Sequence, residues 1–255
     1  MWGIIPAAGR GSRIQPLAFS KELLPVGSRR EGARERPCAV SEYLLERMVK
    51  GGVDKVCFVI SPGKSDIMEY FGGRYGPATI AYVVQPEPLG LCDAIFRAAP
   101  LIGRGVNVVV GLPDTIWFPD DALNALPEGF AFLLFPVKQP QFFDAVVLDE
   151  SGKVTEIQVK QAEPRSNWIW GAFRLPGRTL HDLYRLWQRP DRGDEFIGTL
   201  VNAWIARGGE AYGVKVGTAY VDVGTFDGYR MAINLLGSDG GAMMRAGNAV
   251  ARVRR

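Results

Sequence analysis

The stretch Met1–Val26, MWGIIPAAGRGSRIQPLAFSKELLPV, decides the reading of the whole chain. Trp2 to Pro6 is a short apolar run that predicts a buried strand. It leads directly into Ala7, Ala8, Gly9, Arg10, Gly11, Ser12 and Arg13. Small residues, with a glycine on either side of Arg10, allow a tight turn whose bare N–H groups a ligand can approach. Arg13 puts a permanent cation beside that turn, and Lys21 puts a second one further on. Backbone amides flanked by Arg and Lys suit a polyphosphate. The glycines taken alone also fit a plain strand-to-helix turn. Two well-known phosphate loops are excluded. Ile14 stands where a dinucleotide fingerprint needs its third glycine, and no Gly-Lys-Ser/Thr follows as a Walker A loop requires.

Outward from this stretch, strands alternate with helices. Lys55–Ile60, Ile80–Val84, Val106–Val110 and Ala131–Val137 are β-rich runs. Between them lie helical patterns, one expected to start at an N-cap on Ser41, then Asp66–Phe71 and Cys92–Ala99. This alternation predicts an α/β fold, a Rossmann-like sheet flanked by helices. The polar segment Gly27–Pro37 reads as an exposed loop, and Asp121–Leu126 as a short helix. The second half changes character. Ala145–Leu148 and Val154–Val159 form a predicted hairpin around Glu150-Ser151-Gly152-Lys153, and Trp168–Phe173 is a further strand. Helices are expected at Leu180–Trp187, Phe196–Arg207 and Phe226–Leu236, with short strands at Ala211–Val216 and Thr218–Val221. The stretch 237–255 is glycine-rich and then basic, and reads as a tail.

Composition narrows the class. The 255 residues are 47% hydrophobic and 22% charged, which is ordinary for a soluble globular protein. A net charge of +3 is too small to argue for nucleic acid. Arginines crowd Arg29–Arg36, but Glu31 and Glu35 are interleaved there, so a solvated segment is expected. Cys38, Cys57 and Cys92 lack metal-ligand spacing and fit a reducing cytoplasm. Met1 runs straight into the first strand, so no signal peptide is expected. No apolar run approaches the roughly 18 residues of a membrane span. The single histidine, His181, lies within a predicted helix and reads as structural.

Ligands of open α/β sheets collect at the carboxyl ends of strands. Three polar constellations fall at such ends, namely the Gly9–Arg13 loop, the Gln85–Gly90 turn and Pro113-Asp114-Thr115. Asp114 follows the most apolar strand of the chain, where a carboxylate is costly without a cation. Mg2+ held by one or two carboxylates and phosphate oxygens is one way to meet that cost; a turn-capping aspartate is the other. Asp222, in Tyr220-Val221-Asp222-Val223-Gly224-Thr225, is a second candidate, with N-cap or turn chemistry as its rival.

Gly9-Arg10-Gly11-Ser12-Arg13, Pro16 and Ser20-Lys21-Glu22-Leu23-Leu24-Pro25-Val26 together resemble the signature of the sugar-1-phosphate nucleotidylyltransferases. The likeness is in particular to glucose-1-phosphate thymidylyl- and uridylyltransferases, and it runs to about Leu236. It implies a mixed sheet of the nucleotide-diphospho-sugar transferase type. One domain would span 1–236, with a nucleotide-binding part to about residue 137 and a sugar-binding part, including the hairpin, from about 138. It implies that Ala8, Gly9, Gly11, Ser12 and Arg13 bind the triphosphate, and that Gln85 and Gly90 hold the nucleobase. Arg13, Lys21, Asp114 and Asp222 become the catalytic set, with Mg2+ on Asp114 and Asp222. Lys160, Asn167 and Gly171 fall on the sugar-phosphate side. The implied partners are a nucleoside triphosphate, dTTP or UTP from the Gln85–Leu91 turn, and a sugar-1-phosphate, in a homo-oligomer that binds neither nucleic acid nor membrane. The sugar side departs from the pattern. Asp144 replaces a glycine and Val159 replaces a glutamate that bonds sugar hydroxyls, leaving Asp144 or Gln158 to supply polar contacts. An unusual sugar, a non-hexose phosphate acceptor or a non-catalytic nucleotide-sugar-binding homologue are the alternatives that these changes raise.

Overall fold

Side chains alternating between the two faces of the first strand set up two core layers. In β1 (Trp2–Pro6), Ile4 and Ile5 are fully buried on opposite faces. Ile4 packs in one apolar layer with Cys57, Val59, Val108 and Val110. Ile5 packs in the other with Val56, Phe58 and Val109. The computed structural model describes residues 1–237; the tail expected over 237–255 lies, from residue 238 on, outside them.

After β1 and a long loop, β2 (Pro25–Glu31) and β3 (Arg34–Ala39) form a hairpin that leads into α1 (Val40–Lys50). Next come β4 (Lys55–Ile60), α2 (Ser65–Phe71), β5 (Arg74–Tyr75), β6 (Ala78–Val84), α3 (Gly90–Arg97) and β7 (Asn107–Gly111). The chain continues through β8 (Thr115–Phe118), β9 (Ala131–Pro136), β10 (Asp144–Leu148), β11 (Val154–Val159) and β12 (Trp168–Pro176). It closes with α4 (Gly177–Trp187), α5 (Ile197–Ile205), β13 (Tyr212–Val214), β14 (Ala219–Asp222) and α6 (Phe226–Leu236). Leu180, Leu183 and Leu186 give α4 one buried stripe. Thr225 caps α6, its hydroxyl accepting from Gly228 N–H at 3.1 Å.

The main sheet has ten strands in the order β11-β10-β12-β7-β1-β4-β6-β5, with β9 paired to β12 and β13 to β9. Its centre, β7-β1-β4-β6, is parallel, while β12 runs antiparallel to β7 and carries the hairpin β10–β11. The fold is therefore the expected mixed sheet with helices on both faces.

Four local expectations change. Gly27–Pro37 is not a loop but most of the β2–β3 hairpin. Its turn is Gly32-Ala33, with Gly32 at φ 63°, a two-residue Gly-X connection. The charge run misleads because two of its arginines are spent on α1: Arg29 donates to Glu46 at 2.8 Å, and Arg36 grips Glu42 through both oxygens at 2.8 and 2.9 Å. Ser41 is not the N-cap of α1. The helix starts two residues earlier, at Val40 with Ala39 as N-cap; Ala39 N–H donates to Glu42 Oε1 at 3.1 Å, and the Ser41 hydroxyl donates to the Glu22 carbonyl at 2.7 Å. Asp121–Leu126 contains only a 3-10 turn, Ala122–Ala125. Thr115, grouped with Pro113 and Asp114 as a turn, instead opens β8, which pairs antiparallel with β14.

Glu42 holds this hairpin to α1. Its carboxylate is 1% exposed and also accepts from Tyr70 at 2.7 Å. Burial alone would raise this carboxyl, but the hydrogen bonds from Arg36, Tyr70 and Ala39, with the Arg36 charge, hold it below the ordinary glutamate range. A depressed acid stabilises the fold above its unfolded value of about 4.3, and that contribution fades as pH falls through the folded value. Glu42→Gln is expected to cost about 1–3 kcal/mol at pH 7, with the deficit shrinking below about pH 4. Urea titrations of both proteins across that range check it; a pH-independent deficit contradicts it.

Candidate active site

The β8–β14 ladder builds the acidic centre. Thr115 pairs with Asp222 and Ile116 with Val221, and Val223 N–H donates to the Asp114 carbonyl at 2.8 Å. Two carboxylates more than a hundred positions apart in the chain are thereby placed side by side. A Cβ added at Gly224 would lie 2.8 Å from Asp114 Oδ2 and 2.9 Å from Asp222 Oδ1, so both oxygens close on one point. Gly224 N–H donates to Asp222 Oδ1 at 2.9 Å.

Two cations from the loop after β1 meet this pair. Lys21 Nζ donates to Asp114 Oδ2, and Arg13 Nη1 donates to Asp222 Oδ2 at 3.0 Å. The Lys21–Asp114 pair is largely buried, whereas Arg13 is exposed. Burial works against the Asp114 carboxylate, but the Lys21 ammonium and its hydrogen bond outweigh it and hold the carboxyl below its ordinary range. Burial likewise opposes the Lys21 charge, yet Asp114 and Glu22 raise its pKa overall. Asp222 goes the other way. Burial, then the Asp114 charge, raise its carboxyl against the pull of Arg13.

The Gly9–Arg13 turn leaves its amides without acceptors inside the protein: among the described residues, no hydrogen bond is donated by its backbone N–H groups. Gly9 is open on its Cβ side, with nothing within 4 Å. Gly11, at φ 64°, would place a Cβ 2.7 Å from Lys21 Cδ, so the bare α-carbon gives the Lys21 stem its path. Ala8 is buried, and Ser12 is exposed in the same turn.

Local sequence gave no sign of what fixes this loop. Lys64, at the start of α2, is buried and donates to the Ala7 carbonyl at 2.7 Å and to both Glu22 oxygens at 2.8 Å. Ser20 donates through N–H and hydroxyl to the Asp66 carboxylate at 2.6 Å. The β4–α2 turn thus clamps both ends of the loop, through residues read only as a turn and a helix start. Tyr220 was also missed. Its side chain is half-buried, and its phenol is pushed well above its ordinary pKa by burial and by the Asp222, Asp114 and Asp144 carboxylates around it. Its ring meets Phe143 edge-on at 5.8 Å, joining the acidic centre to the start of β10.

At the other end of the crevice, Ala7 N–H bonds Val59 O on one side of β4, and Gln85 N–H bonds Ile60 O on the other. The phosphate-type loop and Gln85 are thus two strand spacings apart, roughly 10 Å. Gln85 Nε2 donates to Asp93 at 2.7 Å and to the Gly90 carbonyl at 3.1 Å. Gly90 has φ 92°, and a Cβ there would meet Glu195 Cγ at 2.3 Å, so packing against Glu195 already requires this glycine.

The expected acceptor-side residues are only partly drawn together. Asp144 opens β10, accepts from Trp170 Nε1 at 3.3 Å and is raised by burial despite nearby Lys160. Lys160 has φ 45°, donates its N–H to the Phe143 carbonyl at 3.0 Å and sets Nζ 4.3 Å from the Phe196 ring centre. Gly171 lies at a bulge in β12, where a Cβ would strike Phe135 at 2.6 Å and Tyr220 at 2.9 Å. Asn167 is exposed, and only its carbonyl is engaged, by Val137 N–H at 2.9 Å. Gln158 is not free for a ligand, since it accepts from Arg165 N–H at 2.7 Å and donates to Glu156 at 3.2 Å. Val159 packs toward Gly198 of α5. His181 Nε2 is bonded to the Ile102 carbonyl at 2.7 Å, in keeping with a structural role.

Asp114 and Asp222 suit a small hard cation. They are oxygen donors, two in number, and no cluster of three or more His, Cys, Asp or Glu exists among the described residues. Such a pair leaves most of an octahedral shell to phosphate oxygens and water, the usual arrangement for Mg2+. No helix of the described residues is long and apolar enough to cross a membrane.

Residues 2–238 match the family described as nucleotidyl transferase. A glucose-1-phosphate thymidylyltransferase of Mycolicibacterium smegmatis is 28% identical over 89% of this chain and 79% of its own length. One from Neisseria meningitidis is 27% identical over 92% of this chain and 82% of its own. Among solved structures, a UTP-bound UGPase from Acinetobacter baumannii superposes with a TM-score of 0.75 at 21% identity, covering 96% of this chain and 97% of that one. The chain belongs to the nucleotidyl transferase family, in its sugar-1-phosphate nucleotidyltransferase class.

Two substitutions probe this geometry. Lys64→Met leaves the Glu22 carboxylate buried and unpaired, with an expected loss of about 3–5 kcal/mol; Lys64→Met with Glu22→Gln recovers most of it. Denaturant titration checks this, and a single variant as stable as the parent contradicts it. Gly224→Ala wedges a methyl against both acidic oxygens. It is expected to cut nucleotidyl transfer about 100-fold or more while the melting temperature stays near the parent's. Unchanged turnover would show that the two oxygens need not converge.

Proposed function

We propose that the protein joins a nucleoside triphosphate, dTTP or UTP, to a sugar-1-phosphate, giving a nucleoside diphosphate sugar and pyrophosphate. The observation that carries this reading is the meeting of Lys21–Asp114 and Arg13–Asp222 beside the unpaired amides of Gly9–Arg13. The family, and relatives that are glucose-1-phosphate thymidylyltransferases, support the same class of acceptor.

The amides of Gly9 to Arg13 cradle the β- and γ-phosphates, and Arg13 swings from Asp222 onto them. Lys21, held by Asp114, points its ammonium at the reacting phosphates. Asp114 and Asp222 would hold Mg2+, which when bound neutralises phosphate charge and fixes the triphosphate's bend. An oxygen of the sugar phosphate attacks the α-phosphorus in line. The new O–P bond forms as the bond to the bridging oxygen breaks, and its electron pair leaves with pyrophosphate. The attacking oxygen is already anionic, so no general base is required, which suits a site whose cations and carboxylates only align and neutralise charge.

On the acceptor side we place Asp144, Lys160 and Tyr220, with Lys160 the candidate for the sugar phosphate. Val159 offers no hydrogen bond, and Gln158 is spent on Arg165 and Glu156. The pocket is therefore suited to an acceptor other than one read by the family's glutamate. Purified protein with Mg2+, each of dTTP, UTP and CTP, and a panel of sugar and polyol phosphates should release pyrophosphate for at least one pair. Asp114→Asn and Asp222→Asn should each lower that rate about 100-fold or more with the fold intact. No release from any pair overturns the reading.

A further inference from the structure

We infer that Asp93 sets the base specificity of this enzyme by locking the Gln85 side-chain amide in one orientation. The inference rests on the nucleotide reading above and names how the base end of that site chooses. A glutamine amide has a donor end and an acceptor end, and in isolation either can face a ligand. Here both groups that meet its nitrogen are obligate acceptors: the Asp93 carboxylate at 2.7 Å and the Gly90 carbonyl at 3.1 Å. A flipped amide would put the Gln85 oxygen against two oxygens, so the flip is closed.

The Asp93 carboxylate is itself held. Arg97, one turn on along α3, pairs with it at 3.2 Å. Asp93 is 5% exposed and Gln85 is 3% exposed, so the lock is sheltered from water. Both amide hydrogens of Gln85 are thereby used up. Its carbonyl Oε1 is left over, with no hydrogen bond ending on it among the described residues. Nor is that oxygen sealed away. Among the described residues, the fully buried polar side-chain atoms without a partner are Trp117 Nε1 and Arg174 Nε. Oε1 therefore offers an open acceptor at the far end of the crevice from the Gly9–Arg13 loop.

An acceptor fixed in this way selects among pyrimidines. Uracil and thymine present N3–H, flanked by two carbonyls. Cytosine presents at the same ring position a bare lone pair, which would face the lone pairs of Oε1. A site built to pair with an N–H rejects the analogue that lacks it, because its own buried group is left unsatisfied. Asp93 is a positioning residue in this scheme. It touches Gln85 and acts on the base only through it.

The test is calorimetric titration of UTP and of CTP, each with Mg2+, into the parent protein, Asp93→Asn and Asp93→Glu, with melting curves for all three. The parent is expected to bind UTP about 10-fold or more tighter than CTP. Asp93→Asn, whose amide can donate as well as accept, releases the flip and should bring the UTP-to-CTP ratio down by about that factor. Asp93→Glu, an obligate acceptor, should keep the preference. A purely structural role would weaken both nucleotides together and leave the ratio alone, and that result overturns the inference. So does a parent that binds CTP as tightly as UTP. A parent that binds neither triphosphate instead removes the nucleotide reading on which the inference stands.

Discussion

The antiparallel pairing of Thr115 with Asp222 is the constraint on which the site depends. Neither aspartate is positioned by its own loop alone. Asp114 is fixed because its carbonyl receives Val223 N–H, and Asp222 because it ends the strand that β8 pairs with. Two like charges brought this close repel, and burial raises the cost. The fold offsets that with Lys21 and Arg13, both supplied by the loop after β1. The site therefore needs β1, β7 and the separate β8–β14 ladder in place before all four charges are compensated.

Charges alternate through the site in a connected run. Arg13 meets Asp222, Lys21 meets Asp114, and one layer deeper Lys64 meets Glu22. Burial raises the Glu22 carboxyl in spite of Lys64, while Asp114 is held down by Lys21. The outer carboxylate, Asp114, is thus kept charged at neutral pH, and the deeper pair holds the loop. Lys64 reaches the Ala7 carbonyl as well, so one ammonium ties the end of β1 to the segment that carries Lys21. The pair of exposed Arg13 with Asp222 is the weakest of the run, because an exposed ion pair is weak, and in the proposed reaction Arg13 is the cation that leaves its partner for a phosphate.

Much of this was legible in the sequence because it is local. The apolar run before Ala7, the glycines about Arg10 and the alternating strands and helices each follow from short-range pattern. Asp114 and Asp222 were readable as candidates because each ends an apolar run, a costly place for a carboxylate. What was not legible is what depends on pairing across the fold. The strand Thr115–Phe118 carries no local signal because its partner lies a hundred residues on. The Arg29–Arg36 run looked solvated because its carboxylate partners sit on α1, although Gly32-Ala33 was a hairpin signal in plain view. Lys64, Tyr220 and Asp93 carry no motif at all. Their roles come from what the sheet sets beside them. Gly90 and Gly171, which the resemblance puts on the nucleobase and sugar-phosphate sides, are also required by packing, against Glu195 and against Phe135 and Tyr220.

The central claim is that Asp114 and Asp222 act as a pair to hold a divalent cation together with a triphosphate. It is tested most directly by measuring how the affinity for UTP or dTTP depends on Mg2+ concentration in the parent protein and in Asp222→Asn. The account predicts that Mg2+ tightens triphosphate binding markedly in the parent and that most of this enhancement is lost in the variant, while binding without the metal is retained. An equal Mg2+ enhancement in both proteins would contradict it.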